Sequence, residues 1–126
     1  MTPKQLASSG TESAEQKALF CWCALNKHIH PELAWIFSIP NGGRRDLITG
    51  ARLKAEGLKK GVPDLFLPTP RLPHCGLFLE MKRKSVGRVQ DNQNEWIAYL
   101  NKAGYLATVC YGWEEARTVI LTYLRY

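Results

Sequence analysis

A single α/β domain, a small mixed central sheet flanked by helices, is the fold this sequence predicts, and three observations carry it. The chain has 126 residues, enough for one hydrophobic core and too few for two. Its apolar residues switch between helical periodicity and short strand-like runs in the order α-β-α-β-β-α-β-α, which packs as an α/β sandwich. Two of those runs, 62–67 and 77–81, flank a loop carrying Pro68, Pro70 and Pro73, the pattern of neighbouring strands.

Composition narrows the class. With 45% hydrophobic against 22% charged residues, disorder is excluded. Lys and Arg number 17 against 11 acids, a net charge of +6, which suits nucleic acid but also many solvated surfaces. The opening Met-Thr-Pro-Lys-Gln-Leu has no apolar signal core, and no run reaches the length of a membrane helix. Cys21, Cys23, Cys75 and Cys110 lack Cys-x-x-Cys spacing. They read as reduced thiols of a cytoplasmic protein rather than as a zinc site with His28, His30 and His74.

In chain order, residues 1–10 read as a loose tail and 11–126 as the domain. A helix begins near 11–13, where Thr11 or Ser13 can cap it, and runs to about His28, before Pro31. Ala18, Leu19, Trp22, Leu25 and Ile29 form its apolar stripe, with Glu15 inside the stripe and Glu12 at its edge. Either acid can simply favour the helix N-terminus. A strand over 33–39 leads into Pro40-Asn41-Gly42-Gly43-Arg44-Arg45, a turn with two adjacent cations. A helix over 46–56 ends at Gly57, and Lys54, Lys59 and Lys60 add charge before the two apolar runs. After them come a basic loop over 83–88, a helix over 91–103 with Trp96, Ile97 and Leu100 inward, a strand over 106–111 and a helix over 113–123.

Chemistry concentrates in the two runs. Along 77–81 the side chains alternate, so Glu80 and Lys82 project from the same face. Asp64 lies early in the preceding run, one residue after Pro63, and meets Glu80 if the two strands pair. Two carboxylates held together on apolar strands repel, and one stays protonated unless a cation sits between them. Mg²⁺ suits that gap, being held by one or two carboxylates with waters and phosphate oxygens completing its octahedron. Lys82 can then orient or deprotonate water, or neutralise charge on a phosphate. A lone Glu-x-Lys is more often a solvated strand end, so the upstream residues matter.

Those residues are Gly61-Val62-Pro63-Asp64. Followed by Gly76-Leu77-Phe78-Leu79-Glu80-Met81-Lys82, then Gly87-Arg88 and Gln93, they resemble the VRR-NUC family of stand-alone, often phage-encoded nucleases in the PD-(D/E)XK superfamily. Asn41-Gly42-Gly43 and Gly104-Tyr105 fit the same pattern, and the resemblance extends from about Glu12 to Tyr123. It implies a restriction-endonuclease-like α-β-β-β-α-β core. It also implies a metal, Mg²⁺ or Mn²⁺, held by Asp64, Glu80 and the Met81 carbonyl, with Lys82 as water-positioning group or general base. The family carries an acid on its first helix with Gln four residues later, which Glu12 and Gln16 fit; Glu15 fits the helical wheel better, and both stay open. Gln93 is the motif Gln expected in the cleft, although the usual Ser-Pro before it is Gln90-Asp91 here. Asn41, Gly42, Gly43, Arg44 and Arg45, with Lys84 and Arg88 of the basic loop, are expected to contact DNA.

The expected activity is a metal-dependent DNA endonuclease, selective for four-way (Holliday) junctions and acting as a homodimer. Its alternatives are a nicking or flap-type nuclease, a basic DNA-binding module without chemistry, and one subunit of a larger assembly. The last helix, with Trp113, Tyr123 and Tyr126, is the expected dimer interface.

Overall fold

The computed structural model describes residues 1–40, 47–84 and 91–126. The expected loose tail is helical instead. Helix α1 (Pro3–Leu6) is followed by a 3-10 turn (Ala7–Ser9), and Leu6 and Ala7 pack against the core. Thr2 accepts from the Gln5 N–H while the Gln5 side chain accepts from the Thr2 N–H, and Pro3 preorganises the first turn. Four residues are too few to show a periodicity, so only this capping pair marks the helix.

Helix α2 (Glu12–Asn26) is capped by Thr11, whose hydroxyl accepts from the Ala14 N–H at 3.1 Å. It buries Ala14, Glu15, Ala18, Leu19, Trp22 and Cys23. Leu25 and Ile29, expected in the same stripe, are each 57% exposed. The helix stops at Asn26 and a 3-10 turn (Pro31–Ala34) takes the chain away before the stripe can continue. That turn also shortens the expected strand over 33–39 to β1 (Phe37–Ser38), because Pro31 starts a helical turn where an extended segment was expected. Leu33 and Ile36 are still buried, while Trp35 is exposed. Helix α3 (Leu47–Ala55) ends at Gly57, whose φ of 108° a side chain disfavours; none of its residues is buried.

Strands β2 (Leu65–Leu67) and β3 (Leu77–Lys82), helix α4 (Asp91–Lys102), strand β4 (Leu106–Tyr111) and helix α5 (Trp113–Leu124) complete the described elements. The sheet is mixed, in the order β1-β2-β3-β4, with the first two pairings antiparallel and β3–β4 parallel. Register assigns the two faces. Leu65, Leu67, Leu77, Leu79, Met81 and Cys110 share one face and form the core with Ala18, Leu19 and Trp22 of α2 and Ala116 and Ile120 of α5. The other face carries Phe66 stacked on Phe78 at 4.3 Å, with Tyr105 edge-on to Phe78 at 5.3 Å. Glu80 and Lys82 belong to this second face. Strand β3 is covered on both sides, so every one of its residues except Phe78 is buried, the charged pair included.

Candidate active site

The antiparallel register of β2 and β3 explains the Pro-Asp pair. It runs Leu67 with Leu77, Phe66 with Phe78 and Leu65 with Leu79. Continued by two residues, it sets Pro63 opposite Met81. Proline has no N–H to give, so the ladder ends there and the Met81 carbonyl faces no ladder donor. The Met81 N–H, which points the same way, donates instead to Asp64 Oδ2 at 2.8 Å. That bond fixes the Asp64 carboxylate at the end of β2, beside Glu80, although Asp64 itself lies just before the strand rather than inside the expected 62–67 run.

Glu80 is 1% exposed and Lys82 5%. Lys82 Nζ stands 3.7 Å from Glu80 Oε2, and Gln93 Nε2 donates to the same oxygen at 2.7 Å. Gln93 gets there because α4 starts at Asp91, so its first turn lies over the Glu80 face despite the Gln90-Asp91 departure from the family pattern. Burial, and then the neighbouring Asp64 carboxylate, push the Glu80 acid up to about 8; Lys82 pulls it down and Glu12 adds a smaller upward push. An ionised Glu80 leaves its buried Oε1 without a hydrogen-bond partner among the described residues. Protonated, it can donate to Asp64. A buried carboxylate poised between those states is electrostatically incomplete, and a cation between Asp64 and Glu80 would complete it. Among the described residues no three His, Cys, Asp or Glu side chains stand close enough to make a metal site alone. The two acids therefore fit a metal that takes its remaining oxygens from backbone, water or phosphate, as Mg²⁺ does.

The two candidate acids of α2 part company. Glu12 is exposed at the helix start, and its charge reaches Glu80. Glu15 is 2% exposed and turns to the other end of the chain, where its Oε1 accepts from the Trp113 N–H at 2.9 Å. Gly112, at the N-cap of α5 with φ of 89°, has no side chain to supply that bond. Glu15 is thus the missing cap of α5, a role no local pattern could reveal.

Of the expected DNA contacts, Lys84 forms a surface ion pair with Glu114. Asn41, Gly42, Gly43, Arg44, Arg45 and Arg88 lie outside the described residues. The expected interface on α5 needs correction: Trp113 and Tyr123 are 7% and 6% exposed within the chain itself, committed to the core. Tyr126 remains half-exposed, its hydroxyl donating to Glu32. The four cysteines are free, with Cys23 and Cys110 buried and pushed up to about 12 by desolvation, so neither is a nucleophile.

A VRR-NUC domain model matches residues 4–114. A solved VRR-NUC domain protein superposes with a TM-score of 0.77 at 28% identity, over 91% of this chain and 88% of that one. No curated protein matches in sequence. With a family match over most of its length and the family fold around the Asp64 and Glu80 carboxylates, the chain belongs to the VRR-NUC family, nuclease domains of restriction-endonuclease-like fold that typically depend on a metal.

Proposed function

We propose that the protein is a Mg²⁺- or Mn²⁺-dependent DNA endonuclease that hydrolyses phosphodiester bonds, selective for four-way junctions and working as a homodimer. The observation that carries the nuclease reading is the buried Glu80 with Asp64 and Lys82 alongside, one Glu80 carboxylate oxygen left without a hydrogen-bond partner among the described residues. Asp64, Glu80 and the Met81 carbonyl would hold the metal, which when bound neutralises charge on the phosphate and acidifies water. The chain's own groups prepare that site. The Met81 N–H fixes Asp64, and Gln93 holds one oxygen of Glu80 so that the other stays available. Lys82 keeps its Nζ beside Glu80, where as an ammonium it can orient the attacking water or stabilise the developing phosphate charge, and as the neutral amine it can take a proton. Glu12, whose charge reaches Glu80, adds negative charge that favours a bound cation.

Magnitudes rank these contributions. Proton transfer supplies about 10²- to 10⁴-fold, far below the roughly 10¹⁷-fold that enzymes can reach. Metal charge and substrate positioning must supply most of the rest. Asn41, Gly42, Gly43, Arg44, Arg45, Lys84 and Arg88 are assigned to the DNA backbone, Lys84 by exchanging Glu114 for phosphate. A nicking or flap-type specificity uses the same site and differs only in what the surroundings accept.

The test is cleavage of a four-way junction, a flap and a linear duplex of shared sequence, with and without Mg²⁺ or Mn²⁺. Junction cleavage that requires metal and disappears in Asp64→Asn is the expected result. Retarded but intact DNA under every metal would make the protein a binding module.

A further inference from the structure

The strand register places an aromatic row on the same sheet face as the carboxylates. Phe37 pairs with Phe66 and Phe66 with Phe78, so the three rings cross β1, β2 and β3 side by side. Glu80 follows Phe78 by two residues along β3 and therefore shares its face. Asp64 precedes Phe66 by two. The Ile39 N–H donates to the Asp64 carbonyl at 2.7 Å, which carries the β1–β2 pairing on to that residue. Phe37 thus stands one strand over from Asp64 and two residues along. With strands about 4.8 Å apart and a rise of about 3.4 Å per residue, the two Cα atoms lie roughly 8 Å apart.

A single exposed phenyl ring is common on protein surfaces. This one is held in place. Phe66 stacks on Phe78 at 4.3 Å, and Phe37 meets Phe66 edge-on at 5.8 Å. Gly76 makes room for the stack, since a Cβ there would lie 2.7 Å from Phe66 Cε1. Phe66 and Phe78 are half-buried within the row, whereas Phe37 at its β1 end is 48% exposed. In sequence, β1 leads on to residues 41–45, the segment assigned above to the DNA backbone. A fixed apolar ring, open to solvent on the carboxylate face, suits the uncharged part of a nucleotide rather than its phosphate.

We propose that Phe37 packs against the nucleoside flanking the phosphodiester held at Asp64 and Glu80, and so positions the strand for cleavage. The inference rests on the nuclease reading and adds a substrate contact to it.

Steady-state cleavage of one substrate with a mapped cut tests it. Phe37→Ala should raise KM roughly tenfold with kcat within about threefold, and Phe37→Trp should keep the wild-type KM. Phe37 lies at the open end of the row, so its truncation leaves the Phe66–Phe78 stack in place. A three-carbon spacer is then put in place of the nucleoside on each side of the cut in turn, which removes base and sugar together. On one side it should raise the wild-type KM by a similar factor and leave that of Phe37→Ala unmoved. An abasic residue at that position shows which part the ring touches: a loss equal to the spacer's places the contact on the base, a smaller one on the sugar. An unchanged KM in Phe37→Ala, or a penalty that persists with either spacer, would overturn the contact and leave the nuclease reading in place. A wild-type protein that cuts no DNA under either metal would overturn the nuclease reading, and this inference with it.

Discussion

At the scale of single residues, Glu80 sets stability against function. Its raised pKa favours the protonated form in the folded chain, so its contribution is fully present below about pH 4.5 and is lost as pH rises through about 8. In EDTA, the melting temperature of the wild type should therefore fall over that interval. Glu80→Gln, which removes the ionisation and keeps the shape, should flatten the fall and leave the variant more stable than wild type at pH 8. Mg²⁺ or Mn²⁺ should raise the wild-type Tm at pH 8 and leave the variant unmoved. Calorimetry at pH 5 and 8 checks all three, and parallel curves for the two proteins would remove the electrostatic account. Lys82→Ala should keep metal binding and lose several orders of magnitude in cleavage rate, which titration of Mn²⁺ alongside single-turnover kinetics separates.

At the scale of elements, the two acids of α2 make opposite predictions. Glu15→Ala removes the cap of α5 and leaves a buried N–H unpaired, a loss of about 1–3 kcal/mol, with cleavage by the remaining folded protein unaffected. Glu12→Ala touches no cap and should cost little stability while weakening metal-dependent cleavage. Urea unfolding and initial rates on the two variants distinguish these outcomes; a stability loss in Glu12→Ala would reverse the assignment. Helix α5 is held at its other end by Tyr123, whose hydroxyl donates to the Thr69 carbonyl at 2.7 Å. Tyr123→Phe should therefore cost about 1 kcal/mol without altering the site.

At the scale of the whole molecule, each chain brings one Asp64–Glu80–Lys82 site, whereas symmetric resolution of a junction needs two cuts. A twofold dimer supplies both at a fixed spacing and angle. Sedimentation at micromolar concentration should show a dimer, and mixing wild type with Glu80→Gln should produce heterodimers that nick one strand and leave junctions unresolved. A monomer that cuts junction and linear duplex equally would end the resolvase reading and leave the nuclease reading in place. Any such interface must lie elsewhere than Trp113 and Tyr123, which this chain already uses to pack its own core.

Much of the fold and of the site is legible in the order of the amino acids. The runs over 106–111 and 113–123 fold as β4 and α5 nearly to the residue, because strand and helix periodicities are local properties of consecutive side chains. Alternation along 77–81 places Glu80 and Lys82 on one face for the same reason, and the order of short motifs around them carries the family. What local pattern cannot carry is the identity of a distant partner. Glu12 and Glu15 differ by three positions on one helix, yet only the fold sends Glu15 to an N–H 98 residues away and leaves Glu12 exposed, with its charge reaching Glu80. Only the register, likewise, makes Pro63 the residue that ends the ladder opposite Met81 and lets Asp64 take the N–H its backbone leaves over. The sequence by itself determined which elements form and which chemical groups they carry. The tertiary structure decided which of those groups meet, because a buried polar group takes whatever partner packing brings within hydrogen-bond reach, however far along the chain it lies.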